Sequence, residues 1–174
     1  MTRKELAQAI YSSSHITGEF KLRSGIVSNE YFDKYQFESD PVLLLEICKH
    51  LAEILPQDYE ILAGLEMGGI PIATMLSQLT GKPVCFVRKK AKEYGTCLFA
   101  EGADIRGKKL LVVEDVITSG GQVVLSAKDL RDSGAIISNA ICVIDRESSG
   151  MKNLEESGIM LTPLFTMSEI KNLI

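Results

Sequence analysis

The sequence predicts an α/β protein built on an open, mainly parallel sheet of about five strands flanked by helices. Three observations predict it. From residue 40 onward, short apolar runs alternate with stretches of helical period, the pattern of βαβ units. The 174 residues hold no internal repeat, no low-complexity tract and no linker-like stretch, so one domain is expected over residues 1–174. Hydrophobic residues at 45% and charged residues at 24% are ordinary globular proportions, which excludes a disordered chain.

The elements follow in order. Thr2 to about Ser13 reads as a helix, with Thr2 and Glu5 at capping-box spacing and Leu6, Ala9 and Ile10 on one face. Residues 19–34 mix polar and aromatic residues around Ser-Gly and Ser-Asn punctuation, which predicts two short strands, Phe20–Leu22 and Glu30–Asp33. Asp40-Pro41 starts a helix, with Pro at its first position, and an apolar face continues from Leu44 to Leu55. Ile61–Leu65 is a strand, Pro71–Leu79 a helix and Val84–Val87 a strand. Residues 88–108 are charged and Gly-punctuated, with no period. Strand Lys109–Val113 ends in acids and is followed by helix Gly120–Ser133. The chain finishes with strand Ile136–Ile144, helix Met151–Ser157, strand Ile159–Leu164 and a last helical turn or two over Ser168–Ile174. Ligands of such sheets bind at the carboxyl ends of the strands, here after Leu65, Val87, Val113 and Ile144.

The overall balance narrows the function. A net charge of −4 makes the chain a poor general binder of nucleic acid or membrane surfaces. Cys48, Cys85, Cys97 and Cys142 form no CxxC pair and read as buried small hydrophobes plus one loop thiol. His15 and His50 are too far apart in sequence for a His-rich metal motif. No signal peptide or membrane-spanning run is apparent, so a cytoplasmic protein is expected.

The most informative segment is Leu110 to Gln122. An apolar strand delivers Glu114 and Asp115 to its end, and Val116-Ile117-Thr118-Ser119-Gly120-Gly121-Gln122 then opens a helix. Inward N–H groups, hydroxyls and a helix N-terminus suit a phosphate monoester. Ionised carboxylates only accept hydrogen bonds, so the acid pair suits a diol. A diol beside a phosphate describes a ribose 5-phosphate. Arg88-Lys89-Lys90-Ala91-Lys92 concentrates four cations in an acidic chain. Cations gathered in one loop can stabilise negative charge that develops in a reaction, and a Gly-flanked loop could close to exclude water. Asp145-Arg146 follows the long strand; an Arg there can take a carboxylate bidentately or form a local ion pair with its neighbour.

The acid–acid–hydroxyl–glycine segment resembles the phosphoribosyl-diphosphate (PRPP) motif of type I phosphoribosyltransferases. The resemblance implies that Glu114 and Asp115 hold the ribose hydroxyls and that residues Val116 to Gln122 cradle the 5-phosphate. The Arg-Lys-x-x-Lys-x-aromatic-Gly spacing is similar to the catalytic loop of orotate phosphoribosyltransferases. It implies that Arg88, Lys89 and Lys92 contact the diphosphate, Lys92 from a dimer partner, and that Tyr94 stands where the family commonly has His. Gly64 to Pro71 resembles the pyrophosphate loop, with Gly68 where some members carry Lys. Arg146 and Thr118 are thereby assigned to orotate, with Arg23 (Lys in many members) and Phe32 over the base.

The implied reaction is transfer of the phosphoribosyl group from PRPP to orotate, giving orotidine 5′-monophosphate and pyrophosphate in pyrimidine biosynthesis. Lys92 and Asp115 are the residues expected to matter most for catalysis. Mg²⁺ is expected as cofactor, held mainly through PRPP rather than by a protein cage. The resemblance also implies the type I fold, a core of about residues 40–150, a small hood from about 1–35 plus 155–174, and a homodimer with shared sites. The alternatives are a phosphoribosyltransferase for another base, such as a purine, and a PRPP-sensing regulator.

Overall fold

The computed structural model describes residues 1–21, 25, 27–90 and 99–174. Its elements in chain order are α1 (Arg3–Ser14), β1 (His15–Lys21), β2 (Val27–Phe32), α2 (Tyr35–Ser39), α3 (Pro41–Glu53), β3 (Ile61–Leu65), α4 (Gly69–Thr80) and β4 (Val84–Val87). Then follow β5 (Ala100–Gly102), β6 (Lys109–Ile117), α5 (Gly121–Asp132), β7 (Ile136–Asp145), α6 (Gly150–Glu156), β8 (Met160–Thr166) and α7 (Met167–Leu173).

Local chemistry explains the boundaries. At α1 the Thr2 side chain accepts from the Glu5 N–H and Glu5 reaches back to the Thr2 backbone, the reciprocal capping box. At α3 the Asp40 carboxylate accepts from the N–H groups of Val42 and Leu43, and Pro41 occupies the first turn, where its missing N–H costs nothing.

The main sheet has the order β5-β4-β3-β6-β7-β8. Five strands run parallel, as the sequence predicts; β5 adds an antiparallel sixth at the edge, paired to β4. A strand of three residues carries no readable alternation, which is why residues 88–108 look patternless in sequence. The central strands β3, β6 and β7 are buried on both faces over most of their length. Leu62, Leu111 and Val113 face the core shared with α1, α3, α4 and α7. Ile61, Ala63, Leu110 and Val112 face the core shared with α5 and α6. This two-sided burial is the reason the strands read as apolar runs.

From β3 the chain proceeds outward through α4 to β4. From β6 it proceeds the opposite way through α5, β7, α6 and β8. The order therefore reverses between β3 and β6, which leaves a crevice at their carboxyl ends, the standard ligand position of an open α/β sheet. Gly69 lets α4 start hard against β6, since a Cβ there would lie 2.1 Å from the Val113 carbonyl oxygen.

Strand β6 corrects one sequence expectation. It does not end at Val113 but runs to Ile117, with Glu114 opposite Cys142 and Val116 opposite Ile144 on β7. The two acids are thus part of a buried strand rather than a loop. The N-terminal ribbon differs too: β1 begins at His15, earlier than expected, and its pairing with β2 is irregular between Thr17 and Phe20. Leu22, the expected end of that strand, lies outside the described residues. The chain ends meet across the fold. Arg3 Nε donates to Glu169 Oε1 at 2.8 Å and Gln8 Nε2 donates to the Leu173 carbonyl at 3.1 Å, tying α1 to α7.

Cys48, Cys85 and Cys142 are buried thiols, and burial pushes the first two up to about 12. Cys97 lies outside the described residues. Among those described, no helix is long and apolar enough to cross a membrane.

Candidate active site

Two cavities open at the carboxyl end of the sheet and share the wall residue Thr118. The first, of about 290 Å³, is lined by the continuous run Glu114–Val123, together with Lys34, Glu66, Met67 and Lys89. Its floor is the end of β6, and its far wall is the start of α5. Gly120, at φ 71°, turns the chain into that helix; as the N-cap residue it offers no side-chain cap, and the Gly121 N–H makes only a long 3.5 Å bond to Ser119 Oγ. Left-handed backbone at this point favours glycine, and uncapped N–H groups at a helix start favour an anion.

The acids at the floor differ in protonation. Asp115 is fully buried, and Glu114 is 9% exposed. Burial, reinforced by the charge of Asp115, pushes the Glu114 carboxyl well above the usual carboxylate range. Burial also pushes Asp115 upward. The hydrogen bonds from Glu114 and Glu38 and the Lys34 ammonium together outweigh it, and Asp115 lies below its ordinary value. Lys34 Nζ sits 2.5 Å from Asp115 Oδ2. Asp115 is therefore held as the ionised acceptor of the floor, beside a Glu114 carboxyl that burial biases towards its protonated form. The expectation that both acids only accept applies in this state to Asp115.

The second cavity, of about 470 Å³, lies between the β1–β2 ribbon and the ends of β6 and β7. Phe32 from β2, Thr118 after β6 and Arg146 after β7 all line it. Asp145 is turned inward and accepts from the Glu147 N–H at 3.0 Å, so Arg146 is not tied up by its neighbour in a local ion pair and stands exposed at the cavity. Lys171 from α7 and His15 also line this space, and His15 Nε2 lies 2.8 Å from Glu30 Oε2. An arginine, a lysine, a threonine hydroxyl and an aromatic face around one cavity suit a flat, anionic ring.

Placement of the sequence-predicted residues is therefore specific. Glu114, Asp115, Val116, Ile117, Thr118, Ser119, Gly120, Gly121, Gln122 and Lys89 come together in the first cavity; Thr118, Arg146 and Phe32 come together in the second. Arg88 stands apart, its Nε 3.9 Å from Glu101 Oε1 on β5. Arg23, Lys92 and Tyr94 lie outside the described residues. Sequence reasoning missed Lys34 and Glu38 near the acids, and His15, Glu30 and Lys171 in the second cavity; Glu66 entered it only as part of the Gly64–Pro71 loop, with no role of its own. Lys34 and Glu38 did carry a signal, a cation and an acid four residues apart just before the Asp40-Pro41 helix start. Glu66 accepts from the Lys89 N–H at 2.6 Å and so joins the β3 loop to the basic segment.

Comparison with known proteins agrees with this geometry. The sequence profile of the phosphoribosyl transferase domain family matches residues 41–162. The chain is 48% identical over 165 residues to the orotate phosphoribosyltransferase of a Nocardioides species, covering 95% of this chain and 92% of that protein. It is 40% identical over 153 residues to the orotate phosphoribosyltransferase of Methanocella arvoryzae, covering 88% and 87%. Among solved structures, orotate phosphoribosyltransferase from Mycobacterium tuberculosis superimposes with a TM-score of 0.87 at 27% identity, covering 97% of this chain and 98% of that one. An adenine phosphoribosyltransferase from Thermoanaerobacter pseudethanolicus also superimposes, with a TM-score of 0.70 at 19% identity over 92% of this chain and 99% of that one, a likeness of fold alone.

Proposed function

From the chain's place in the phosphoribosyl transferase family, to which it belongs, and among the orotate phosphoribosyltransferases that it matches over most of its length, we infer that it transfers the phosphoribosyl group of PRPP to orotate. The products are orotidine 5′-monophosphate and pyrophosphate, a step of pyrimidine biosynthesis. The observation that carries this reading is the pair of cavities joined at Thr118: one has a phosphate loop above a carboxylate, the other an arginine beside an aromatic face.

The residues divide the work by their chemistry. The N–H groups and hydroxyls from Thr118 to Gly121 hold the 5-phosphate at the start of α5. Asp115 accepts a hydrogen bond from a ribose hydroxyl, and Glu114 stands ready beside it. Arg146 takes the orotate carboxylate, the Thr118 hydroxyl holds the ring edge, and Phe32 covers the ring face. The base nitrogen thereby faces the ribose C1 across Thr118. There the bond from C1 to the diphosphate oxygen breaks, its electron pair leaving with the diphosphate; a bond from C1 to nitrogen forms, and the proton of that nitrogen passes to the departing diphosphate or to solvent. Lys89, with Lys92 of the basic segment and with Arg88 once it turns from Glu101, places positive charge towards the departing diphosphate, with Tyr94 as a neutral donor.

Mg²⁺ fits as an ion that enters with PRPP. Among the described residues no three His, Cys, Asp or Glu side chains converge as a metal cage, while Glu66, Glu114 and Asp115 line the PRPP cavity beside the substrate's own oxygens. The ion, when bound, neutralises charge on the diphosphate. We read the ribbon with α1 and α7 as the hood over the base. We read the active unit as a cytoplasmic homodimer in which Lys92 serves the neighbouring site, with no nucleic-acid or membrane partner.

A base panel with PRPP and Mg²⁺, followed by pyrophosphate release, tests the acceptor. Orotate should be turned over far faster than uracil, which lacks the carboxylate, or adenine. Equal turnover of uracil and orotate would remove Arg146 from the reaction and overturn the assignment.

A further inference from the structure

Asp115 is held from three directions, and two of the groups that hold it belong to neither the phosphate loop nor the base cavity. The first is Lys34, whose Nζ lies 2.5 Å from Asp115 Oδ2. The second is Glu38, 9% exposed, whose carboxyl hydrogen-bonds to Asp115. Lys34 precedes α2 and Glu38 lies on it four residues later, so the two share one face of a single helical turn. The third direction is closed by the β3 loop. A Cβ on Gly68 would lie 1.7 Å from Asp115 Oδ2 and 2.8 Å from Glu38 Oε1, so bare backbone packs against the point where the two carboxyls meet. Apart from the Lys34 ammonium against Asp115 Oδ2, neither of those buried oxygens has a hydrogen-bond donor from the rest of the protein. Two carboxylate oxygens meeting out of water repel unless a proton sits between them.

We propose that Lys34 and Glu38 are positioning residues for the transfer reaction: Glu38 as a neutral acid donates a hydrogen bond to Asp115, Lys34 balances its charge, and together they fix the Asp115 carboxylate in the orientation that receives the ribose of PRPP. The proposal rests on the reading of the first cavity as the PRPP site.

The charges support it. The groups facing Glu38 are Asp115, Glu114 and Lys34. Burial and the contact with Asp115 push Glu38 up to about 9, so Glu38 carries the proton at neutral pH. Lys34 is held above its ordinary value: burial opposes its charge, and the Asp115 carboxylate more than restores it. Within this trio Glu38 is neutral, and the Asp115 carboxylate is balanced by the Lys34 ammonium. This lets a cavity with a carboxylate floor admit a substrate that is itself an anion. Above about pH 9 Glu38 would lose its proton, and Asp115 would exchange a donor for a second negative charge.

The experiment measures PRPP affinity by calorimetry with PRPP and Mg²⁺, alongside KM for each substrate, between pH 6 and 10. It uses the parent and the variants Glu38→Gln, Glu38→Ala, Lys34→Met and Lys34→Arg. Glu38→Ala should weaken PRPP binding roughly tenfold, the scale of one hydrogen bond, and leave orotate KM nearly unchanged. Glu38→Gln retains a donor, should restore most of that affinity, and should lose the alkaline weakening that the parent shows. Lys34→Met should weaken PRPP binding at every pH, with partial recovery in Lys34→Arg. Because Lys34 is partly exposed, its variants keep the test open even if Glu38→Ala does not fold. Unchanged PRPP affinity in Glu38→Ala, equal loss in the Gln and Ala variants, or equal weakening of both substrates would each overturn the proposal. Failure of the parent to bind PRPP would instead overturn the assignment of the cavity, and failure only with orotate would overturn the choice of base.

Discussion

The two cavities that meet at Thr118 are made in different ways. The PRPP cavity draws most of its wall from one continuous run, Glu114–Val123. The base cavity draws on α1, the ribbon, the ends of β6 and β7, and α7, segments scattered between Tyr11 and Lys171 of the chain. A phosphate is recognised by what a strand end, a glycine turn and a helix start offer together, and those are properties of adjacent residues. A flat base carries few charges and is recognised by faces and edges, which only tertiary packing can surround. The contiguous site should fail in rate and PRPP affinity when its charges are altered. The assembled site should fail in orotate affinity alone.

The largest effect is expected on the PRPP side. Lys92→Ala should lower kcat by on the order of 10²–10³, by comparison with loss of an oxyanion donor. The same variant tests whether the basic segment acts across a dimer. Inactive Lys92→Ala chains mixed with inactive Asp115→Asn chains should regain activity towards half that of a parental dimer, since one site of each mixed dimer carries both lesions and the other none. Mixed dimers verified by mass measurement but without activity would show that each basic segment serves its own subunit.

On the base side, Arg146→Ala should raise orotate KM roughly ten- to a hundredfold, the range for losing hydrogen bonds to a charged group, with PRPP affinity unchanged. Steady-state kinetics in both substrates checks the split. A matching rise in PRPP KM would mean that the two cavities are coupled through Thr118 and that the division between them is too sharp.

This contrast also explains what the sequence made legible. The central strands and large helices follow from apolar period, and the PRPP loop follows from Glu114-Asp115 ahead of Thr118 to Gly121. The depth of those acids was not legible. An acid after Val113 reads as a strand end, yet β6 carries both acids inward to Ile117; the resulting desolvation pushes both carboxyls upward, and at Asp115 alone the hydrogen bonds and the Lys34 charge more than reverse it. Helix α2 was not legible either, because five residues give no helical period, and with it went the roles of Lys34 and Glu38. His15, Glu30 and Lys171 enter the base cavity only through the pairing of β1 with β2 and the docking of α7, which no local pattern states.

The smallest effect separates two readings of Phe32. The side chain is partly buried and packs against the core under the ribbon, and it also lines the base cavity. A core aromatic and a stacking aromatic respond differently to Phe32→Leu. Leucine keeps most of the apolar contact with the core, so the melting temperature should change little, but it removes the ring face. An aromatic pair is worth about 0.5–1.5 kcal/mol beyond its burial, so orotate KM should rise roughly two- to tenfold while PRPP affinity stays constant. Phe32→Tyr retains the face and should restore the parental KM. If Phe32→Leu lowers the melting temperature and leaves orotate KM untouched, Phe32 belongs to the core alone. Base recognition would then rest on Arg146 and the Thr118 edge, and the ribbon would cover the cavity without gripping its contents.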